Sequence, residues 1–260
     1  MTILDRLAEH ARERAAQTMR DFPREQLLEE ALRQPRGDFA FENALKKDRL
    51  SFICECKKAS PSKGLIAPEY PYLDIARDYE AAGADAISVL TEPKWFLGSD
   101  RHLKEIAGTV SLPCLRKDFV VDPCMICEAK LLGAAAVLLI CALMSPEELR
   151  DDLSLCDALG LSALVEVHDM REAETAVTAG ARVIGVNNRN LKDFSVDPEN
   201  SRRLRSLIPP DILFVSESGV HSPQDVAALR EIGADAVLVG EALMRAHDRA
   251  AMLREWRMAI

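Results

Sequence analysis

A Gly-Ala pair followed by an apolar run recurs four times along the chain. It occupies residues 81–90 (AAGADAISVL), 131–140 (LLGAAAVLLI), 178–186 (TAGARVIGV) and 231–240 (EIGADAVLVG). Each copy reads as a helix end, a turn and a strand. Glycine suits the left-handed position that closes a helix, and the unbroken apolar run suits a parallel strand covered on both faces. The repeat glycines, 83, 133, 180 and 233, are 50, 47 and 53 residues apart. One βα unit takes about half of that, so a further strand is expected near the middle of each interval. Short apolar runs stand at such places: Leu50–Cys56, Pro113–Phe119, Ser162–His168 and Ile212–Ser216. The expectation is eight strands.

Helical spacing fills the gaps at Asp74–Ala81, Arg101–Ala107, Met125–Leu132, Pro146–Leu159, Met170–Thr178, Pro198–Leu207 and Pro223–Ile232. Ser145-Pro146-Glu147-Glu148 and Ser222-Pro223-Gln224-Asp225 open two of these with a Ser cap, Pro at the first helical position and acids in the first turn. Strict β/α alternation predicts an α/β fold, a (β/α)8 TIM barrel. A doubly wound sheet is the rival, but neither Gly-rich phosphate fingerprint of that class occurs. Residues 1–49 precede the first strand. Ile3, Leu4, Leu7, Ala8 and Ala11 give them a helical pattern, that of an N-terminal extension capping one end of the barrel. No interdomain linker is visible, so 1–260 reads as one barrel domain.

With 48% hydrophobic residues among 260, disorder is excluded as the main state. The net charge of −9, with no dense Lys/Arg block, argues against nucleic acid. An anionic small-molecule substrate must instead find a local cationic cluster. The most apolar stretch, Leu131 to Leu143, is about 13 residues, short of the roughly 20 that a membrane span needs. Met1–Arg20 carries Asp5, Arg6, Glu9, Arg12, Glu13 and Arg14, unlike a secretory signal. Seven cysteines, an odd number, fit free thiols in a reducing cytoplasm. Cys124-x-x-Cys127 lacks a second CxxC or a His pair at zinc spacing, so no metal is expected. Cys54, Cys56, Cys114 and Cys141 sit in apolar runs as small hydrophobes.

In such barrels chemistry sits at the C-terminal ends of the strands. Glu55 and Lys57 are two apart, so in a strand they face the same side. Alone they read equally as a buried ion pair. Lys117, Glu166, Asn187 and Glu217 stand at equivalent levels on four other strands, and such convergence is hard to explain as structure when burying charge is costly. Ser216-Glu217-Ser218-Gly219 ends strand 7, and Leu238-Val239-Gly240-Glu241 ends strand 8 and opens a helix. Loops after these strands are the fold's recurring phosphate site. Gly219 and Gly240 let a phosphate approach the backbone, and Ser60 adds a hydroxyl. Gly240 reads otherwise as a tight turn. Glu241 beside a phosphate requires its side chain to point away.

These segments resemble indole-3-glycerol phosphate synthases. The matching runs are Ile53–Ser62 (ICECKKASPS), Leu115–Phe119 (LRKDF), Leu164–His168 (LVEVH), Ile184–Leu191 (IGVNNRNL), Ser216–Gly219 (SESG) and Leu238–Glu241 (LVGE). They come in the family's order and, with the extension, cover essentially the whole chain. Cys54 and Cys56 stand where relatives commonly carry larger residues. The resemblance implies decarboxylating, dehydrating ring closure of 1-(2-carboxyphenylamino)-1-deoxyribulose 5-phosphate, with no cofactor or metal. It gives Lys117 the role of general acid and Glu166 that of general base. Lys57 would hold the substrate carboxylate, Glu55 would favour charged lysines, and Asn187 and Glu217 would position substrate or lysine. Ser60, Ser218, Gly219, Leu238, Gly240 and Glu241 would surround the phosphate. Arg189 would support Glu217, and Phe96 and Leu97 would cover the aromatic ring. A cytoplasmic monomer or weak homo-oligomer is expected.

Three rivals remain at this point: a Schiff-base aldolase or lyase using Lys117 or Lys57, a sister-barrel phosphosugar isomerase pairing Cys54 or Cys56 with Asp118, and a phosphate-ligand sensor. His168 reads as a proton shuttle or as a strand-end filler. His10, His102, His221 and His247 read as solvated surface, and Trp95 and Trp256 carry no readable role.

Overall fold

A computed structural model describes residues 2–190 and 193–259; Leu191, the last residue of the family-like 184–191 segment, lies outside the described residues, as does Met1. The repeat glycines adopt the left-handed backbone expected of them, with φ between +78° and +91° at Gly83, Gly133, Gly180 and Gly233. Each hands the chain from a helix to a buried strand. The strands are β1 (Ser51–Cys56), β2 (Ala59–Ser60), β3 (Gly64–Leu65), β4 (Ala86–Leu90), β5 (Cys114–Lys117), β6 (Ala136–Ile140), β7 (Ser162–Val167), β8 (Val183–Asn187), β9 (Leu213–Glu217) and β10 (Ala236–Val239). Eight of them close into a parallel barrel in the order β1-β10-β9-β8-β7-β6-β5-β4. The small antiparallel hairpin β2–β3, in the loop after β1, has no counterpart in the sequence reading.

The helices are α1 (Ile3–Asp21), α2 (Arg24–Arg33), α3 (Ala40–Leu45), α4 (Tyr72–Ala81), α5 (Asp100–Ala107), α6 (Pro123–Leu131), α7 (Pro146–Leu159), α8 (Met170–Ala179), α9 (Glu199–Arg205), α10 (Pro223–Glu231), α11 (Glu241–Arg245) and α12 (Arg249–Met258). Ser145 and Ser222 cap α7 and α10 as full capping boxes, each with Pro in the first turn. Pro198–Leu207 is shorter than its spacing suggested, because only Glu199–Arg205 is helical.

The extension covers both ends of the barrel rather than one. Ile3, Leu4 and Leu7 of α1 face the cavity at the C-terminal mouth. α3 sits at the opposite end, where Glu42 N–H donates to Ser162 Oγ at the start of β7, 3.2 Å, and the Glu42 carboxylate takes Arg182 through two bonds. Trp256 is core, 2% exposed. His102 is not solvated surface; it packs 4.4 Å from the Tyr72 ring and 5.4 Å from that of Tyr70. All seven cysteines are free and buried. Among the described residues no group of His, Cys, Asp and Glu could hold a metal ion, so Cys124 and Cys127 gather no further ligand. No described helix is long and apolar enough to cross a membrane.

Candidate active site

A cavity of about 150 Å³ opens at the C-terminal ends of the strands. Parallel pairing sets neighbouring strand ends side by side: Leu90 opposite Lys117, Ile140 opposite Glu166, and Asn187 opposite Glu217. Side chains that point inward at these levels must therefore share one space. The cavity is lined by all six polar residues singled out from the strand ends, Glu55, Lys57, Lys117, Glu166, Asn187 and Glu217, and by Ser60, Phe96, Arg189, Ser218, Gly219, Leu238, Gly240 and Glu241.

Lys117 is the electrostatic centre. Its Nζ lies 3.0 Å from Glu166 Oε2 and 3.2 Å from Glu217 Oε2. Burial works against its charge, but Glu166, Glu217 and Glu55 outweigh burial and hold the ammonium above its ordinary range. One cation cannot serve two buried carboxylates equally. Burial raises both; Lys117 and His168 overcome it at Glu166, which stays ionised well below the usual carboxylate range. Burial prevails at Glu217, reinforced by the charge of Glu166, and lifts it to about 7 against the pull of Lys117. Glu217 Oε1 is buried and has no hydrogen-bond partner among the described residues. It lies against Gly185, where any Cβ would collide with it. Glu55 binds Lys57 directly, and the two sit over Gly240, where a Cβ would strike both.

Beside this group the chain turns sharply at Ser218 (φ +65°) and Gly219 (φ +91°). Ser218 Oγ and Arg189 N–H both donate to Asn187 Oδ1, 3.0 Å each. The Glu241 carboxylate is offset by two cations, Arg245 Nε at 3.2 Å and Lys63 Nζ at 3.5 Å, which removes the conflict of a bare acid beside an anion site. Ser60 Oγ stands 3.4 Å from Ser62 Oγ in the hairpin loop.

Two expectations about roles are corrected. Arg189 does not brace Glu217; its Nη1 donates to the Phe194 carbonyl, 3.1 Å. Leu97 does not line the cavity and is 41% exposed. The apolar wall is built instead by Phe96 and Phe119, 6.0 Å between ring centroids, with Ile3, Leu4 and Leu7 of α1. Phe119 lies in the Lys-Asp-Phe run but had drawn no role.

The loop bearing Phe96 is fixed by Glu92, fully buried, whose carboxylate accepts the N–H groups of Lys94, Trp95 and Phe96 at 2.9, 2.8 and 3.0 Å. His10 Nδ1 of α1 is 3.1 Å from the same carboxylate, and its ring packs edge-on to Trp95, so His10 is not solvated surface either. Asp118, next to Lys117, is buried against Arg14 of α1 through bonds of 3.0 and 2.6 Å and accepts Thr91 Oγ1 at 2.6 Å. Glu92 gave no sequence signal, and Asp118 was read only as a cysteine's partner in the isomerase rival, because each answers a helix about 80 to 100 residues away.

Fold and site together define a (β/α)8 barrel with an acid–base cluster at its C-terminal mouth. Solved structures of that class are similar at the level of fold. A 3-hexulose-6-phosphate synthase superposes with a TM-score of 0.66 at 16% identity, over 81% of this chain and 100% of that one. A thiamine phosphate pyrophosphorylase from Pyrococcus furiosus gives 0.61 at 20% identity, over 84% and 96%. Sequence comparison is far more specific. The family model described as indole-3-glycerol phosphate synthase matches residues 4–256. The indole-3-glycerol phosphate synthase of Ruminiclostridium cellulolyticum is 60% identical over 85% of both chains. Those of Lachnoclostridium phytofermentans and Lactiplantibacillus plantarum are 45% and 46% identical over 97% and 99% of both chains. The chain belongs to the indole-3-glycerol phosphate synthase family.

Proposed function

We propose that this chain closes the indole ring of 1-(2-carboxyphenylamino)-1-deoxyribulose 5-phosphate, releasing carbon dioxide and water to give indole-3-glycerol phosphate. The observation that carries this reading is the ammonium of Lys117 held between two carboxylates inside a cavity walled by aromatic and aliphatic side chains. Ring closure puts negative charge on the ketone oxygen, and a buried, firmly protonated amine is suited to donate there. Glu166, ionised beside it, is the base for the proton lost on dehydration. Glu217, lifted to about 7, is the carboxyl that shares its proton with a substrate hydroxyl or amine. Asn187 spends its Oδ1 on Ser218 and Arg189, which leaves its NH₂ for the substrate.

Lys57, oriented by Glu55, meets the substrate carboxylate and donates when hydroxide leaves. Ser60, Ser218, Gly219, Leu238, Gly240 and the backbone of Glu241 surround the phosphate. Phe96 and Phe119 cover the anthranilate ring. On this reading the chain is one cytoplasmic barrel domain acting on a small anionic molecule as a monomer or weak homo-oligomer.

A Schiff-base mechanism needs a lysine depressed towards neutrality, and Lys117 is shifted the other way. The isomerase reading needs a reactive thiol, but Cys54 and Cys56 are fully buried and burial pushes both thiols up. The test is a fluorescence time course with the anilino-deoxyribulose phosphate and no added metal. Wild type should generate indole fluorescence, and Lys117→Ala and Glu166→Gln should each lose about 10²- to 10⁴-fold in kcat while melting as folded proteins. Turnover unaffected by either substitution would overturn the acid–base assignment.

A further inference from the structure

Glu166 faces a different cation on each oxygen. Oε2 takes Lys117, and Oε1 lies 3.3 Å from His168 Nε2. The other side of the His168 ring is held as well: Nδ1 is 3.1 Å from Glu172 Oε2, and the same oxygen accepts the His168 backbone N–H at 2.8 Å. Glu172 is anchored in the first turn of α8, its own N–H bonded to the cap residue Asp169 at 2.9 Å. Asn200 Nδ2 of α9 donates to the His168 carbonyl, 3.0 Å. The imidazole thus lies between two carboxylates, hydrogen-bonded to Glu172 and in ion-pair range of Glu166 without hydrogen-bond geometry to it, with its backbone pinned on both sides. Neither His168 nor Glu172 lines the cavity.

We propose that His168 is a positioning residue, a permanent cation oriented by Glu172 that keeps Glu166 ionised and aimed while Lys117 changes its charge. The inference rests on the base role given to Glu166 above. In that reaction Lys117 gives its proton to the ketone oxygen: an N–H bond breaks, an O–H bond forms, and a neutral amine is left. Glu166 is 2% exposed and must still be a carboxylate for the later proton abstraction. A buried carboxylate facing only a neutral amine would favour the protonated acid. His168 is the counter-charge that does not leave.

The surroundings support a fixed charge rather than a shuttle. Burial lowers the basicity of the ring, but Glu166 and Glu172 override it and raise the imidazole to about 10. A shuttle must release its proton in the working range, and the two carboxylates flanking this ring oppose that release. The charged and titratable groups around the pair are Glu166 on β7 itself, Glu172 and Asp169 from α8, Lys117 from β5 and Glu217 from β9 beyond Glu166, and Cys141 after β6, whose thiol donates to the Glu172 carbonyl.

The sign for activity follows. Removing a cation beside Glu166 raises the pH at which that carboxylate ionises, so activity on the acid side is lost at higher pH. The test is the pH profile of kcat, which reports the bound state in which Lys117 has given up its proton, for wild type, His168→Gln and Glu172→Gln, together with ¹⁵N NMR of the imidazoles. His168→Gln should move the acid limb up by about one unit or more, with kcat affected more than KM. Glu172→Gln should move it the same way by less and bring the His168 resonance down towards the ordinary histidine range. In wild type that resonance should stay cationic through neutral pH. Acid limbs that overlay in all three proteins, or a wild-type His168 that titrates near 6.5, would overturn the proposal. If His168→Gln does not fold, the NMR titration and Glu172→Gln decide. Absence of turnover in wild type would refute the ring-closure reading instead, and the titration would still show whether the cation is fixed.

Discussion

At the scale of single residues, the mouth is a charge-counting problem. Lys57 and Lys117 stand among Glu55, Glu166 and Glu217, and the geometry gives each carboxylate a different answer: Glu55 is paired to Lys57, Glu166 sits between two cations, and Glu217 is left with one oxygen unpartnered among the described residues. Small residues make this crowding possible. Gly240 lies so close to Glu55 and Lys57 that a methyl group would displace both. Gly240→Ala should therefore cut kcat/KM at least roughly 10-fold, while overpacking lowers stability by only about 1–3 kcal/mol. Steady-state kinetics beside a thermal melt would check this. Wild-type kcat/KM in the variant would mean that the Glu55–Lys57 pair tolerates displacement.

At the scale of elements, α1 is fastened to the two loops that carry Phe96 and Phe119. The His10–Glu92 and Arg14–Asp118 contacts are both made by its inner face, and Thr18 adds a bond to Glu128 of α6, 2.8 Å. Arg14→Ala leaves the fully buried Asp118 with Thr91 Oγ1 and the Phe119 N–H as hydrogen-bond partners and Arg116 Nη2 at 4.0 Å. Losing a hydrogen-bonded charge of this kind should cost about 1.5–3 kcal/mol, read from urea unfolding; a change below a few tenths would show that α1 is not held this way. The barrel's elements were readable because their signals are local. A glycine at the end of a helix, a Ser-Pro cap and an apolar run each reflect the nearest few residues. The extension was readable as helix but not as to where it docks, since Leu7 and Arg14 declare their partners only in three dimensions. The Ala59–Leu65 hairpin left no pattern, because two-residue strands are too short to show one.

At the scale of the whole molecule, a closed parallel barrel converts strand position into site position. Reading strand ends found Glu55, Lys57, Lys117, Glu166, Asn187 and Glu217, because closure forces those ends round one opening. It gave no role to Phe119, although that residue stood in a strand-end run, and it did not find Ile3 and Leu4, which arrive from the far end of the chain. Arg189 was misassigned because its guanidinium follows the local loop to Phe194. Glu172 was missed because it lies on a helix and acts only through His168. The assembled molecule places acids, amines and apolar rings round one cavity, the combination that decarboxylating ring closure requires. The most direct measurement supplies the purified chain with substrate carrying ¹³C in its carboxylate and counts labelled carbon dioxide against indole product. One equivalent of labelled carbon dioxide per indole ring is the predicted result. Carbon dioxide without indole, or neither from a folded protein, would contradict it.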